Sequence, residues 1–140
     1  MTLPDDNLYG DEHVRVYRET GGERGYYWRR GTEILLLTTT GRKSGEPRTR
    51  PLIQRADNGN WILVASDGGA PDHPAWFKNL QANPEATIEV RAEEIPVRAR
   101  VAHGDERERL WKLMNDVWPD YDVYQEKTDR EIPVVVLERR

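Results

Sequence analysis

At 140 residues, 36% hydrophobic and 33% charged, the chain is sized for one domain that buries about two thirds of its unfolded surface. Its net charge of −4 argues against general nucleic-acid binding, which rewards broad basic surfaces through counterion release. Without cysteine there is no disulfide, thiolate metal ligand or cysteine nucleophile. The longest unbroken apolar run, Trp61–Ala65, is too short to span a bilayer. The opening Met-Thr-Leu-Pro-Asp-Asp-Asn lacks the basic start and apolar centre of a signal peptide, so a cytoplasmic location is expected.

In chain order, Asp11–Thr20 reads as a short helix whose inner face is Val14, Tyr17 and Val16. Gly21, Gly22 and Gly25 break it, and the trio Tyr26-Tyr27-Trp28 precedes the first strand. Ile34–Thr40 is that strand by apolarity and β-branching, closed by Gly41. Arg48–Ala56 alternates polar and apolar residues, with Pro51 marking an edge or a bulge. Asp57-Asn58-Gly59-Asn60 is a hairpin turn, since Asn-Gly tolerates positive φ. Trp61–Ser66 returns as a strand and ends in Asp67-Gly68-Gly69. Asp72 or His73 then caps a helix with Pro74 near its first turn and Trp76, Phe77 and Leu80 as its stripe. Asn83-Pro84 ends it.

Ala86–Arg91 and Ile95–Val101 read as two strands around Ala92-Glu93-Glu94. Gly104–Glu108 opens another helix, its acids in the first turn where the helix dipole favours them. Leu110, Met114, Val117 and Trp118 recur at helical spacing. Pro119 starts a tyrosine-rich segment, and Pro133–Leu137 is a last buried strand. The expected fold is α+β: a split β-barrel of about six mainly antiparallel strands with three or four peripheral helices. Residues 1–30 form an N-terminal segment with a short helix, and 31–140 form the barrel domain.

The charge is unevenly spread. Arg42–Arg55 holds five basic residues and one acid, a balance of +4 that leaves −8 on the rest of the chain. Charge alone reads equally as a solvated surface or as a site for a small anion. Arg42, Lys43 and Arg48 suit carboxylate or phosphate, the arginines by two-pronged hydrogen bonds. Ser44 and the backbone amides after Gly41 and Gly45 complete an anion nest. Ser66, Gly68 and Gly69 let a planar ring approach the backbone. Trp76, Phe77, Trp118, Tyr121 and Tyr124 either pack a core or wall an aromatic pocket. His13, His73 and His103 lack metal-ligand spacing, so no metal site is expected. No Gly-x-Ser-x-Gly elbow, phosphate loop or Gly-x-Gly-x-x-Gly is present, so the chemistry is expected from an organic cofactor.

The ordered motifs Leu37-Thr38-Thr39-Thr40-Gly41-Arg42-Lys43-Ser44-Gly45, Pro47-Arg48, Pro51-Leu52, Ala65-Ser66, Gly68-Gly69 and His73-Pro74-Ala75-Trp76 resemble the deazaflavin-dependent nitroreductase and quinone reductase family. The likeness continues through Asn79-Leu80, Ala82-Asn83-Pro84, Trp118-Pro119, Tyr121, Tyr124, Thr128-Asp129-Arg130 and Ile132-Pro133-Val134, and spans roughly residues 30–138. The resemblance implies coenzyme F420, whose phosphate and polyglutamate tail suit Arg42, Lys43, Ser44 and Arg48. It implies that Thr49, Arg50, Pro51, Leu52 and Ile53, with Val64, Ala65, Ser66 and Asp67, border the ring and ribityl chain. Ala75, Trp76, Phe77, Lys78 and Asn79 then close the other side.

Tyr121 and Tyr124 are implied to line the substrate end and to be catalytic. The implied reaction is hydride transfer from reduced deazaflavin to a quinone, nitro compound or activated enone, with a tyrosine hydroxyl or water giving the proton. Nitro-reducing relatives can carry tyrosine where this chain has Ile53 and Trp118, which weighs against nitro compounds. A flavin mononucleotide-binding split barrel and a non-catalytic deazaflavin carrier are the alternatives. The expected partner is a small-molecule electron acceptor, with no nucleic acid, no transmembrane segment and no predicted peripheral membrane contact. The chain is expected to be a monomer or homodimer.

Overall fold

The computed structural model describes residues 5–140, so part of the signal-peptide reading, which rests on residues 1–4, lies outside the described residues. The elements are α1 (Gly10–Thr20), β1 (Tyr27–Trp28), β2 (Thr32–Thr40), β3 (Pro47–Asp57), β4 (Asn60–Val64) and α2 (Ala75–Ala82), followed by β5 (Glu85–Val90), β6 (Glu93–Val101), α3 (Gly104–Val117), α4 (Asp120–Glu126) and β7 (Val134–Arg139). Every strand pairing is antiparallel. The order β1-β2-β3-β4-β7-β6-β5, with β2 also pairing β5, closes a six-stranded ring and leaves β1 as an extra strand beside β2. The expected split barrel is the fold observed.

The apolar runs in β2, β4 and β7 are continuous because these strands are buried on both faces. Leu35, Leu37, Leu63, Val135 and Leu137 point into the barrel with Ile88, Ile95 and Val97. Ile34 and Leu36 point outward under Tyr17 of α1 and Tyr26. Ile62, Val64, Val134 and Val136 point outward under Leu110 and Met114 of α3 and Tyr121 of α4. Trp76, Phe77 and Leu80 of α2 join the barrel core, each buried side chain of this kind contributing about 1.5–3 kcal/mol.

β3 is what splits the barrel. It pairs β2 from Pro47 to Gln54 on one side, but β4 only at Arg55–Asp57 on the other. Pro51 therefore lies on a free edge, where its missing N–H costs no ladder bond. The Asn58-Gly59 turn takes positive φ at both residues, 51° and 81°, the geometry of a tight two-residue hairpin.

Several sequence expectations are corrected. The N-cap of α2 is Pro74, not Asp72 or His73. Asp72 instead accepts from the His73 backbone N–H and from Lys78 Nζ, and both hold its carboxyl below the usual carboxylate range, Lys78 most. The β5–β6 turn is Arg91-Ala92, tighter than expected because Arg91 adopts φ 56°. The buried face of α1 is His13, Val16 and Tyr17, with Val14 only half-buried. The tyrosine-rich segment is a fourth helix.

α1 and β1 are fastened to the barrel by polar contacts as well as by packing. Tyr17 Oη donates to the carbonyl of Ile34 at 3.0 Å and accepts from the Arg91 N–H at 2.7 Å, and burial pushes its phenol up to about 12. Arg18 forks onto the Glu89 carboxylate at 2.7 and 3.0 Å. Trp28 stacks on Trp118 at 6.1 Å, and Arg30 lies over the Trp118 ring at 4.2 Å while pairing with Asp120. No helix among the described residues is long and apolar enough to cross a membrane.

Candidate functional site

Between the β2–β3 turn and α2 lies a cavity of about 270 Å³ lined by Gly41, Arg42, Lys43, Ser44, Arg48, Arg50, Ala75, Trp76 and Asn79. The turn folds as it does because Gly41 N–H donates to Glu46 O and Gly45 N–H to Gly41 O, both at 2.8 Å. A Cβ on Gly41 would stand 2.8 Å from Ser44 Oγ and 3.1 Å from the Glu46 carbonyl, so a larger residue would displace Ser44 and crowd the turn.

Asn79 holds the turn to the helix, its Oδ1 accepting from the Arg42 N–H and guanidinium and its Nδ2 donating to Thr39 Oγ1. Ser44 Oγ accepts from the Glu46 N–H at 3.1 Å and from Arg48 at 3.4 Å, which leaves its own hydrogen available. The amides after Gly41 and Gly45 are thus already used, a correction to the expected nest. The free N–H groups of the turn among the described residues are those of Lys43 and Ser44.

Arg42, Lys43 and Arg48 are exposed, and none pairs with a carboxylate among the described residues. In a chain of net charge −4, three cations without carboxylate partners among the described residues, two free amides and a serine hydroxyl are chemically able to receive an anion. The donor set fits a phosphate or carboxylate-bearing cofactor.

The other sequence-expected residues lie apart from this cavity or behind it. Thr49 Oγ1 shares a hydrogen bond with Thr38 Oγ1 at 2.7 Å on the outer face. Pro51 is half-buried on the free edge, Leu52 packs against the barrel core, and Ile53 packs outward against the Tyr17 cluster. Phe77 is buried in the core against the His73 ring at 4.8 Å, and Lys78 is occupied by Asp72.

A second group forms where α4 meets the end of β4. Tyr124 O would stand 2.7 Å from a Cβ on Gly69, whose φ of 84° also demands glycine, so α4 sits directly on the Asp67–Gly69 turn. Val64 and Tyr121 share the outer apolar cluster, while Ala65 and Ser66 are buried and Asp67 is exposed. Tyr121 is 5% exposed, and its hydroxyl has no hydrogen-bond partner among the described residues. Burial pushes its phenol far above the ordinary value and Tyr124 adds to the shift, so it stays a neutral donor. Tyr124 is half-buried and its Oη accepts from Trp118 Nε1 at 3.2 Å.

Arg130 locks this region. Its guanidinium donates to the carbonyls of Ser66 at 2.7 Å, Ala70 at 2.9 Å and Ala65 at 3.2 Å, and bonds His73 Nδ1 at 3.0 Å. Burial, then the Arg130 charge, hold His73 below its usual value. The Thr128-Asp129-Arg130 motif was visible in the sequence, but nothing local foretold that its arginine would clamp a loop sixty residues away.

The described residues thus form a split β-barrel with a basic turn at one mouth and an aromatic helix beside it. The sequence model of the F420H(2)-dependent quinone reductase family matches residues 10–139, beginning well before the motifs that carried the resemblance, and the chain belongs to that family. It is 40% identical over 131 residues to an F420H(2)-dependent quinone reductase of Mycobacterium tuberculosis (strain H37Rv), covering 91% of this chain and 88% of that one. Among solved structures, an F420-H2 dependent reductase, FDR-A, is 46% identical, with TM-score 0.69, covering 75% of this chain and 93% of that chain. A structure described as a domain-swapped dimer is 39% identical, with TM-score 0.71, covering 91% of this chain and 95% of that chain.

Proposed function

We propose that the chain is an F420H(2)-dependent reductase of quinones, holding the anionic part of the cofactor on Arg42, Lys43, Ser44 and Arg48. The observation that carries this reading is the trio of cations without carboxylate partners, supported by family membership. When bound, the reduced deazaflavin supplies a hydride. Arg42 and Arg48 bind its anionic groups, Ser44 Oγ and the Lys43 and Ser44 N–H groups complete the cradle, and Asn79 keeps Arg42 aimed into the cavity. Thr49–Ile53, Val64–Asp67, and Ala75–Asn79 with Trp76 are proposed to border the rest of the cofactor.

A quinone that accepts a hydride also needs a proton to become a hydroquinone. Tyr121 and Tyr124 are proposed to line the acceptor end, where a neutral phenol, or a water it orders, gives that proton. The Arg130 clamp keeps the 65–73 segment fixed while α4 rests on it, which favours a constant distance between donor and acceptor. A cytoplasmic location, and a monomer or homodimer, belong to the same proposal.

The test is titration with coenzyme F420 and, in parallel, flavin mononucleotide, then reoxidation of the bound reduced cofactor by menadione. Tight F420 binding and reoxidation above the protein-free rate are expected. Binding without acceleration marks a carrier. Preference for flavin mononucleotide overturns the reading of the basic turn.

A further inference from the structure

A second cavity, of about 690 Å³, lies between α1 and the free edge of β3, and it meets the first at Arg48 and Arg50. Its wall carries Arg15, Arg18, Arg48 and Arg50, with Asp11 and Glu19 facing them. The two cavities differ in what their cations are doing. In the second, Arg15 is paired with Glu19 at 3.1 Å, Arg18 with Glu89 at 2.7 Å and Arg50 with Asp11 at 3.1 Å. Only Arg48, shared with the first cavity, has no carboxylate partner among the described residues.

The three pairs are not equally firm. Arg18 grips a Glu89 side chain that is 21% exposed, and Glu19 sits one helical turn from Arg15 on the same helix. Asp11 is 95% exposed and reaches Arg50 from a different element, so this pair is weak and open to exchange with another carboxylate. Asp11 also sits in the first turn of α1, where the helix dipole favours a negative charge.

We infer that Asp11 is a specificity-determining residue: its carboxylate occupies Arg50 where the two cavities meet and limits how long an anionic tail the protein rewards. The inference rests on the cofactor reading above. A tail carboxylate that extends past the basic turn toward α1 reaches Arg50 only by displacing Asp11. Each anionic unit bound within the first cavity therefore adds affinity, whereas the next one exchanges one carboxylate for another and adds little.

Full-length wild type, Asp11→Asn, Glu12→Gln and the double variant Asp11→Asn/Arg50→Gln are titrated with tail-less deazaflavin and with coenzyme F420 carrying one glutamate or several. Glu12→Gln removes the same charge from the same exposed turn but breaks no ion pair among the described residues. Asp11→Asn is expected to raise affinity for the long-tailed form about fivefold, the upper worth of an exposed pair, and to leave the shorter forms unchanged. Glu12→Gln is expected to alter no form selectively, and the gain is expected to vanish in the double variant. An equal rise for every tail length, or none for the long tail, overturns the inference while the cofactor reading stands. Failure of wild type to bind any form removes both.

Discussion

One Asn79 oxygen holds Arg42 at two points, accepting from its backbone N–H at 3.2 Å and from its guanidinium at 3.0 Å. The Asn79 Nδ2 donates to Thr39 Oγ1 at 3.0 Å, so a residue only 3% exposed joins the helix, the end of β2 and the basic turn. Asn79→Ala is expected to cost about 1–3 kcal/mol, the penalty for a buried polar partner left unpaired. It is also expected to weaken F420 binding by freeing Arg42 to point elsewhere. Urea denaturation and cofactor titration of the same sample check both effects. Loss of stability with unchanged affinity would leave Asn79 structural only.

Arg42→Ala with Lys43→Ala removes two of the three unpaired cations. Hydrogen bonds to charged groups contribute about 1.5–3 kcal/mol each, so affinity for F420 is expected to fall at least about tenfold. The dependence of affinity on salt should also become shallower, because fewer exposed charges remain to be screened. Unchanged affinity would mean that the anionic tail binds elsewhere.

Tyr121→Phe separates packing from chemistry. The ring is buried while the hydroxyl makes no protein hydrogen bond among the described residues and is not sealed from solvent, so removing it is expected to leave thermal stability nearly unchanged. Turnover with menadione should fall while F420 affinity holds. Full activity would remove Tyr121 as the proton donor and leave Tyr124 or water.

Arg130→Lys tests the clamp. A lysine keeps the charge but cannot fork onto three carbonyls and an imidazole at once. Arg130→Lys is expected to cost about 2–4 kcal/mol, since several carbonyls lose a charge-assisted donor together. Amide exchange in the 65–73 segment should accelerate more than exchange in the barrel strands. Uniform acceleration would argue against a local clamp.

The strands of the barrel were legible because burial on one or both faces writes itself locally. Ile34–Leu37, Trp61–Ala65 and Val134–Leu137 are apolar without interruption, and Asn58-Gly59 admits one kind of turn. The basic turn stood out by its charge density, which by itself did not separate an anion site from a solvated surface. What the sequence hid lies in pairings between distant segments. β1 is two residues long and exists only because Trp28 finds Thr32 in β2 and Trp118 beyond α3. α4 spans seven residues, too few to display a helical period, so the inward turn of Tyr121 against Met114 could not be read. The polar neighbours Asp120 and Asp122 suggested exposure instead. The same limit hid α1 as a wall of the larger cavity, because Asp11 meets Arg50 only after the barrel has closed.

His13 makes the attachment of α1 sensitive to acid. It is 1% exposed, and its Nε2 lies 2.8 Å from the Gly25 carbonyl, so that nitrogen carries the hydrogen and donates. Burial lowers its pKa, with the Gly25 bond and the Asp5 charge opposing in part. The folded pKa therefore lies below the unfolded value of about 6.5, and the unfolded chain binds more protons as pH drops through that value. Stability from this residue is complete above about pH 6.5 and is lost progressively as pH falls toward the folded pKa. The urea midpoint of wild type is expected to drop between about pH 7.5 and about pH 5.5, an interval in which ordinary carboxylates stay ionised. His13→Gln, which cannot charge, is expected to lose the His13 share of that dependence and keep the share from His73, whose pKa is also lowered, even if its midpoint is lower throughout. Equal dependence in both proteins would assign the acid sensitivity to another group.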